Sequence, residues 1–129
     1  NELGAPIASC IETMNISTSG EGSKSIKIVA KDRAQNYSQP LLMSWIVDQT
    51  APDVLINRAP PAITSDVNAS FIFTGTDAIS PMVKFKCQLD NAGFQDCVSG
   101  VRYNTLPMGP HTFQVIGTDE AGNSSQPKM

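Results

Sequence analysis

The chain has 129 residues, room for one domain and part of another. Nine Lys and Arg against twelve Asp and Glu leave a net charge of −3, and the pI is near 4.9. No basic cluster is present, which argues against a nucleic-acid partner or a basic membrane-surface domain. Apolar residues make up 40%, enough to build a core and too many for a disordered chain. The longest apolar stretch, Leu41 to Val47, is interrupted by Ser44 and is too short to cross a bilayer. The first residue is Asn1, not Met, and no leader pattern follows it, so the chain is expected to be a fragment or a processed product. With one His and two Tyr, no combination of residues argues for a catalytic centre, and the chain is not expected to be an enzyme.

The segment 1–48 reads as the later half of a repeat that recurs further along. Displaced by 87 residues and without a gap, Ala5 falls on Ala92, Cys10 on Cys97, Thr18 on Thr105 and Gly22 on Gly109. Asp32, Ala34 and Asn36 fall on Asp119, Ala121 and Asn123, and Ser38-Gln39-Pro40 on Ser125-Gln126-Pro127. These are ten identities in 42 aligned positions, where chance would give roughly two or three. The organisation expected is residues 1–48 as the C-terminal half of one repeat, 49–52 as a linker restricted by Pro52, and 53–129 as a second repeat whose last strand is incomplete.

Ser25 to Lys31 alternates, with Ile26, Ile28 and Ala30 on one face. Leu42 to Val47 is the next strand, and Trp45 in it is read as a packing residue beside the linker. Ser70 to Thr74 places Phe71 and Phe73 on one side. Met82 to Leu89 turns Val83, Phe85, Cys87 and Leu89 inward and Lys84 and Lys86 outward; His111 to Thr118 does the same with Phe113, Val115 and Gly117. Turn-forming clusters separate them: Ala59-Pro60-Pro61, Asp90-Asn91-Ala92-Gly93, Pro107-Met108-Gly109-Pro110 and Asp119-Glu120-Ala121-Gly122-Asn123. No useful helical period occurs. The pattern predicts an all-β, antiparallel β-sandwich of about seven strands per repeat.

The order Phe71-x-Phe73, Phe85-x-Cys87-x-Leu89-Asp90, Phe94-x-x-Cys97, Tyr103-x-x-Leu106-x-x-Gly109-x-His111-x-Phe113-x-Val115 and Asp119-x-Ala121-Gly122-Asn123 resembles the bacterial immunoglobulin-like repeat domain. Asp48-Gln49-Thr50-Ala51-Pro52 resembles the Asp-x-Thr-Ala-Pro junction of such arrays. The resemblance spans nearly the whole chain. It implies tandem immunoglobulin-like sandwiches in a large extracellular or cell-surface protein: an adhesin stalk, or a filament such as the flagellar hair (mastigoneme) of a protist. The neighbours would be further repeats of the same chain and other copies in a filament. A ligand- or carbohydrate-binding adhesion module is the alternative. The first repeat departs from the pattern at Ile16, Lys24 and Gln35, which lie over Tyr103, His111 and Gly122.

Cys87 and Cys97 flank a hairpin turn centred on Ala92, which would set them directly opposite each other as a disulfide; two buried thiols are the alternative. Cys10 would then be left without a partner in this stretch of chain. Asn15, Asn36, Asn68 and Asn123 each head an Asn-x-Ser sequon, where roughly one or two would arise by chance, so N-linked glycans are candidates if the source is eukaryotic. Asn36 and Asn123 occupy equivalent turns and would behave alike. Asp32, Asp48, Asp53 and Asp119 sit at turns and beside the linker. They either fix those turns through backbone N–H groups or contribute to a Ca²⁺ site, which related repeats use at their junctions. His111 is read as a surface or turn residue.

Overall fold

The computed structural model describes residues 15–17 and 19–129; Cys10 and Thr18 lie outside them. The chain divides into two compact units, Asn1–Ile46 and Val47–Met129. All regular structure among the described residues is β, in antiparallel sheets, as the alternation predicts. No helix among them is long and apolar enough to cross a membrane.

In the first unit β1 (Gly22–Ile28) pairs with β2 (Leu41–Val47). β1 starts and ends three residues before the expected strand. Past Ile28 the backbone serves the following turn: Ala30 N–H donates to the Ser38 hydroxyl (2.9 Å), and Ser38 N–H donates to the Ala30 carbonyl (2.8 Å). No described residue of this unit is buried. Leu41, Leu42, Met43 and Ile46 are exposed, and Trp45 is 38% exposed. Two strands alone have too little apolar surface to form a core.

The second unit carries six strands: β3 (Asp53–Arg58), β4 (Ala69–Thr76), β5 (Lys84–Leu89), β6 (Gln95–Cys97), β7 (Val101–Tyr103) and β8 (Phe113–Thr118). They form two three-stranded sheets, β3-β4-β7 and β6-β5-β8. The inward rows of the two sheets meet through aromatic rings. Phe71 of β4 stacks on Phe113 of β8 at 3.8 Å between centroids, and Phe73 meets Phe85 of β5 edge-on at 4.9 Å. Val54, Phe71, Phe73, Cys87, Phe113 and Val115 form the buried core, so the predicted inward faces of β4, β5 and β8 are correct. β3 was not anticipated, because Val54-Leu55-Ile56 is a continuous apolar run; Leu55 turns outward and is 60% exposed.

The Cys87–Cys97 disulfide is present, with Cα atoms 5.7 Å apart. The cysteines are not directly opposite, however. Cys87 faces Gln95 and Cys97 faces Phe85, so the turn centres on Asn91 and the bridge runs diagonally across the hairpin. Asp90 and Gly93 both take positive φ (52° and 85°), and the reversal sits one residue earlier than a turn centred on Ala92. Strand twist brings one diagonal within reach of a disulfide. Closing a loop of about eleven residues stabilises the fold by about 3 kcal/mol.

The sheets approach so closely that two core positions admit no side chain. A Cβ on Gly117 would lie 2.7 Å from Val54 Cγ2 and 2.8 Å from Val83 Cγ1; one on Gly75 would lie 2.8 Å from Val83 Cγ1 and 2.9 Å from Phe85 Cζ. Overpacking of this kind costs about 1–3 kcal/mol. Gly117→Ala should therefore lower unfolding stability by that amount in urea, with an unchanged m-value; a neutral substitution would mean that the sheets are further apart than described.

Candidate functional site

Three aspartates converge where strands of the second unit begin and end. Asp48 precedes β3, Asp77 follows β4 and Asp119 follows β8. One carboxylate oxygen of each lies within 4.8 Å of the others. Each is positioned by local hydrogen bonds that follow from its place after a strand or in a turn. Asp48 Oδ1 accepts the Thr50 N–H at 3.2 Å, and Oδ2 accepts the hydroxyl of buried Ser80. Asp77 Oδ1 accepts the N–H groups of Ile79 (2.8 Å) and Ser80 (2.9 Å).

Asp119, itself buried, closes a five-residue turn. Its Oδ1 accepts the Asn123 N–H and its Oδ2 the Asn123 amide, both at 2.8 Å, while its own N–H donates to the Asn123 carbonyl at 3.0 Å. Asn123 also donates to the Asp48 carbonyl at 3.2 Å, which ties the turn to the start of β3. Burial pushes the Asp119 carboxyl up, but hydrogen bonds from the Asn123 side chain and from the N–H groups of Asn123, Gly122 and Ala121 outweigh it. The carboxyl titrates below its ordinary 3.8.

One oxygen of Asp77 is left over. Asp77 Oδ2 is buried and has no hydrogen-bond partner. An ionised carboxylate oxygen in that state is costly. The donor set is entirely hard oxygen, the kind that Ca²⁺ takes. One carboxylate oxygen from each of three aspartates lies within 4.8 Å of the others, and Asp77 has an oxygen with no hydrogen bond to give up, so these residues fit such an ion.

Of the aspartates singled out by sequence, the structure brings together Asp48 and Asp119. Asp53 stands apart: its side chain is 79% exposed and lies 3.6 Å from Lys128 Nζ. Asp32 belongs to the first unit and fixes its own turn. Asp77 was missed. The segment 1–48 contains no counterpart of that position at a displacement of 87, so the repeat could not mark it; the one available signal was an Asp at a strand end followed two and three residues on by free N–H groups.

The Asp32 turn reproduces the Asp119 turn bond for bond. Asp32 Oδ1 accepts the Asn36 N–H at 2.9 Å, Oδ2 accepts the Asn36 amide at 3.0 Å, and Asp32 N–H donates to the Asn36 carbonyl at 3.0 Å. The flanking Ser38–Ala30 pair matches Ser125–Gly117, whose bonds are 2.8 and 2.9 Å. The bridge Lys31–Tyr37 matches Thr118–Ser124. Gln35 (φ 74°) takes the left-handed conformation that Gly122 (φ 95°) takes at the aligned position. Asp32 is likewise held below 3.8, first by the Asn36 side chain and then by the Asn36 backbone.

The sequons differ in how their amides are used. Asn15 is exposed. Asn36 Nδ2 donates to Asp32, and exposed Asn68 Nδ2 donates to Asp66 Oδ1 at 3.1 Å. Asn123 Nδ2 donates twice, to Asp119 and to the Asp48 carbonyl, and the residue is half-buried. Asn36 and Asn123 thus share a turn but not a second acceptor. A groove of about 330 Å³, lined by Asp66, Asn68, Ala69, Ser70, Arg102 and Asn104, has no aromatic wall.

Comparison with protein-family models, curated proteins and solved structures finds no match to this chain.

Because Asp119 is held below 3.8 only in the folded state, its contribution to stability is present above that pH and is lost as pH falls through the lowered folded value. Asp119→Ala should lower the thermal midpoint clearly at pH 7 and much less at pH 2. An equal loss at both would mean that the charge of the carboxylate contributes nothing to the turn.

Proposed function

We propose that this chain is part of a tandem array of immunoglobulin-like sandwiches in an extracellular structural protein. It would act as a spacer in a stalk, filament or surface matrix. The observation that carries the reading is the turn built twice, at Asp32–Asn36 and Asp119–Asn123, with the same acceptors, the same bridge and the same left-handed position 87 residues apart. A turn reproduced at a fixed displacement is what recurrence of one supersecondary unit along a chain produces. The disulfide supports an oxidising compartment. Two grooves of the second unit, one lined by Asp66, Asn68, Ser70 and Arg102 and one by Arg58, Pro60, Pro61 and Thr64, have no aromatic wall of the kind that stacks on sugars, so the binding-module alternative draws less support.

In this reading Asp48, Asp77 and Asp119 hold Ca²⁺ and rigidify their end of the sandwich. A cation that binds only the folded unit raises its stability by about 2.7 kcal/mol at a hundredfold excess over Kd. Thermal unfolding of the 129-residue chain should shift upward from EDTA to Ca²⁺, and Asp77→Asn should abolish the shift. Identical midpoints would assign the three carboxylates to turn fixing alone.

The spacer reading itself is tested by electron microscopy or small-angle scattering of the intact parent protein. An elongated particle with a period of one sandwich is expected. A compact particle, or beads hinged freely with no preferred angle, would overturn it.

A further inference from the structure

The opposite pole of the second unit, where β5 ends and β8 begins, carries the only imidazole in the sequence. His111 stands just before β8 and joins two loops. Its Nδ1 lies 2.9 Å from Asp90 Oδ2 in the β5–β6 turn, and its Nε2 lies 2.8 Å from the Pro107 carbonyl in the β7–β8 loop. Both partners are acceptors without a proton to give. A neutral imidazole carries one N–H, so one of the two contacts would set lone pair against lone pair. Only the imidazolium satisfies both.

The groups around the ring agree. Asp90 is a charged residue facing it, and Asp90 Oδ1 is held by the Thr112 N–H at 2.8 Å, so the carboxylate is aimed at the ring by the residue just before β8. The hydrogen bond to the Pro107 carbonyl, and after it the one to Asp90, raise the His111 pKa above its ordinary 6.5. The bond from His111 lowers that of Asp90. On its far side the β7–β8 loop is held by Thr105 N–H to Asn68 Oδ1 (3.3 Å) and Leu106 N–H to the Val67 carbonyl (2.8 Å). Thr105 sits at φ 54°, a conformation that a β-branched residue takes only when its surroundings impose it.

The first unit supplies an independent comparison. Lys24 aligns with His111, and its Nζ donates to the carbonyls of Ser19 (2.8 Å) and Glu21 (3.4 Å). These two residues flank Gly20, which aligns with Pro107. In both units a side-chain nitrogen at the same position is hydrogen-bonded to carbonyl oxygen of the same loop. A lysine offers an ammonium donor, whereas a histidine offers a second N–H only when its ring is protonated.

We propose that His111 is a proton-operated clasp on the loop between β7 and β8, closed when the ring is protonated and released when it is neutral, in a place where the first unit uses a lysine. The closed state dominates below the raised folded value and is lost as pH rises through it. Asp90 stays ionised throughout that range.

The test is an NMR titration of the 129-residue chain, in which the lone imidazole gives a single ring signal. Its midpoint should lie above 6.5, and the amide signals of Thr105, Leu106 and Gly109 should move with the same midpoint. The exchange protection of the Leu106 amide should fall roughly fivefold above it, the effect of one hydrogen bond. In His111→Lys that protection should persist across the range, and in Asp90→Asn the ring midpoint should drop. A wild-type midpoint at or below 6.5, loop amides that ignore the ring, or the same loop transition surviving in His111→Lys would overturn the proposal.

Discussion

The carboxylate of Asp119 has to leave water at the end of a core strand, and the acidic end of the second unit is organised around that requirement. Its two oxygens are satisfied by the backbone and amide of a single residue, Asn123, so the chain must reverse within five residues. That reversal carries Ser125 back to Gly117 and sets Lys128 against Val115, which extends the sheet beside β8. The spare hydrogen of Asn123 reaches the Asp48 carbonyl and so fixes the entry to β3. Strand end, sheet edge and junction segment follow from one buried acid whose hydrogen bonds outweigh its desolvation.

The core places the two poles of the second unit. Phe71 on Phe113 and Phe73 on Phe85 lock the two sheets face to face, and Gly75 and Gly117 permit the approach. β4 and β8 both run from the His111 pole to the acidic pole, so register errors in the core would be felt at both. The disulfide secures the β5–β6 hairpin, whose turn presents Asp90 to the ring. One pole gathers negative charge with an unsatisfied oxygen, and the other neutralises a carboxylate with an imidazolium.

Much of this was legible in the sequence because period-two alternation and an 87-residue displacement are strong signals. Phe71, Phe73, Phe85, Phe113 and Val115 were placed inward correctly. Cys87 and Cys97 pair, but the hairpin is centred one residue earlier than the symmetric placement, since nothing in Asp90-Asn91-Ala92-Gly93 announces a positive φ at Asp90. β3 was hidden by Leu55, an exposed apolar residue between two inward ones. Asp77 escaped because its position has no repeat counterpart in the chain. His111 was read as a bland turn residue because its partners, Asp90 and Pro107, become neighbours only when β5 and β8 pair. Asp53 carries the same charge as Asp48 but faces solvent and Lys128; composition near a junction does not distinguish the two.

The central claim is that the two segments 87 residues apart are one structure built twice, and it has a direct measurement. Side-chain carboxyl pKa values of every aspartate can be read by ¹³C NMR on the 129-residue chain. Asp32 and Asp119 should both titrate below 3.8, because each is held by the backbone and amide of the Asn four residues on. An ordinary value at either one would contradict the account, since the shared turn would then exist in one unit and not in the other.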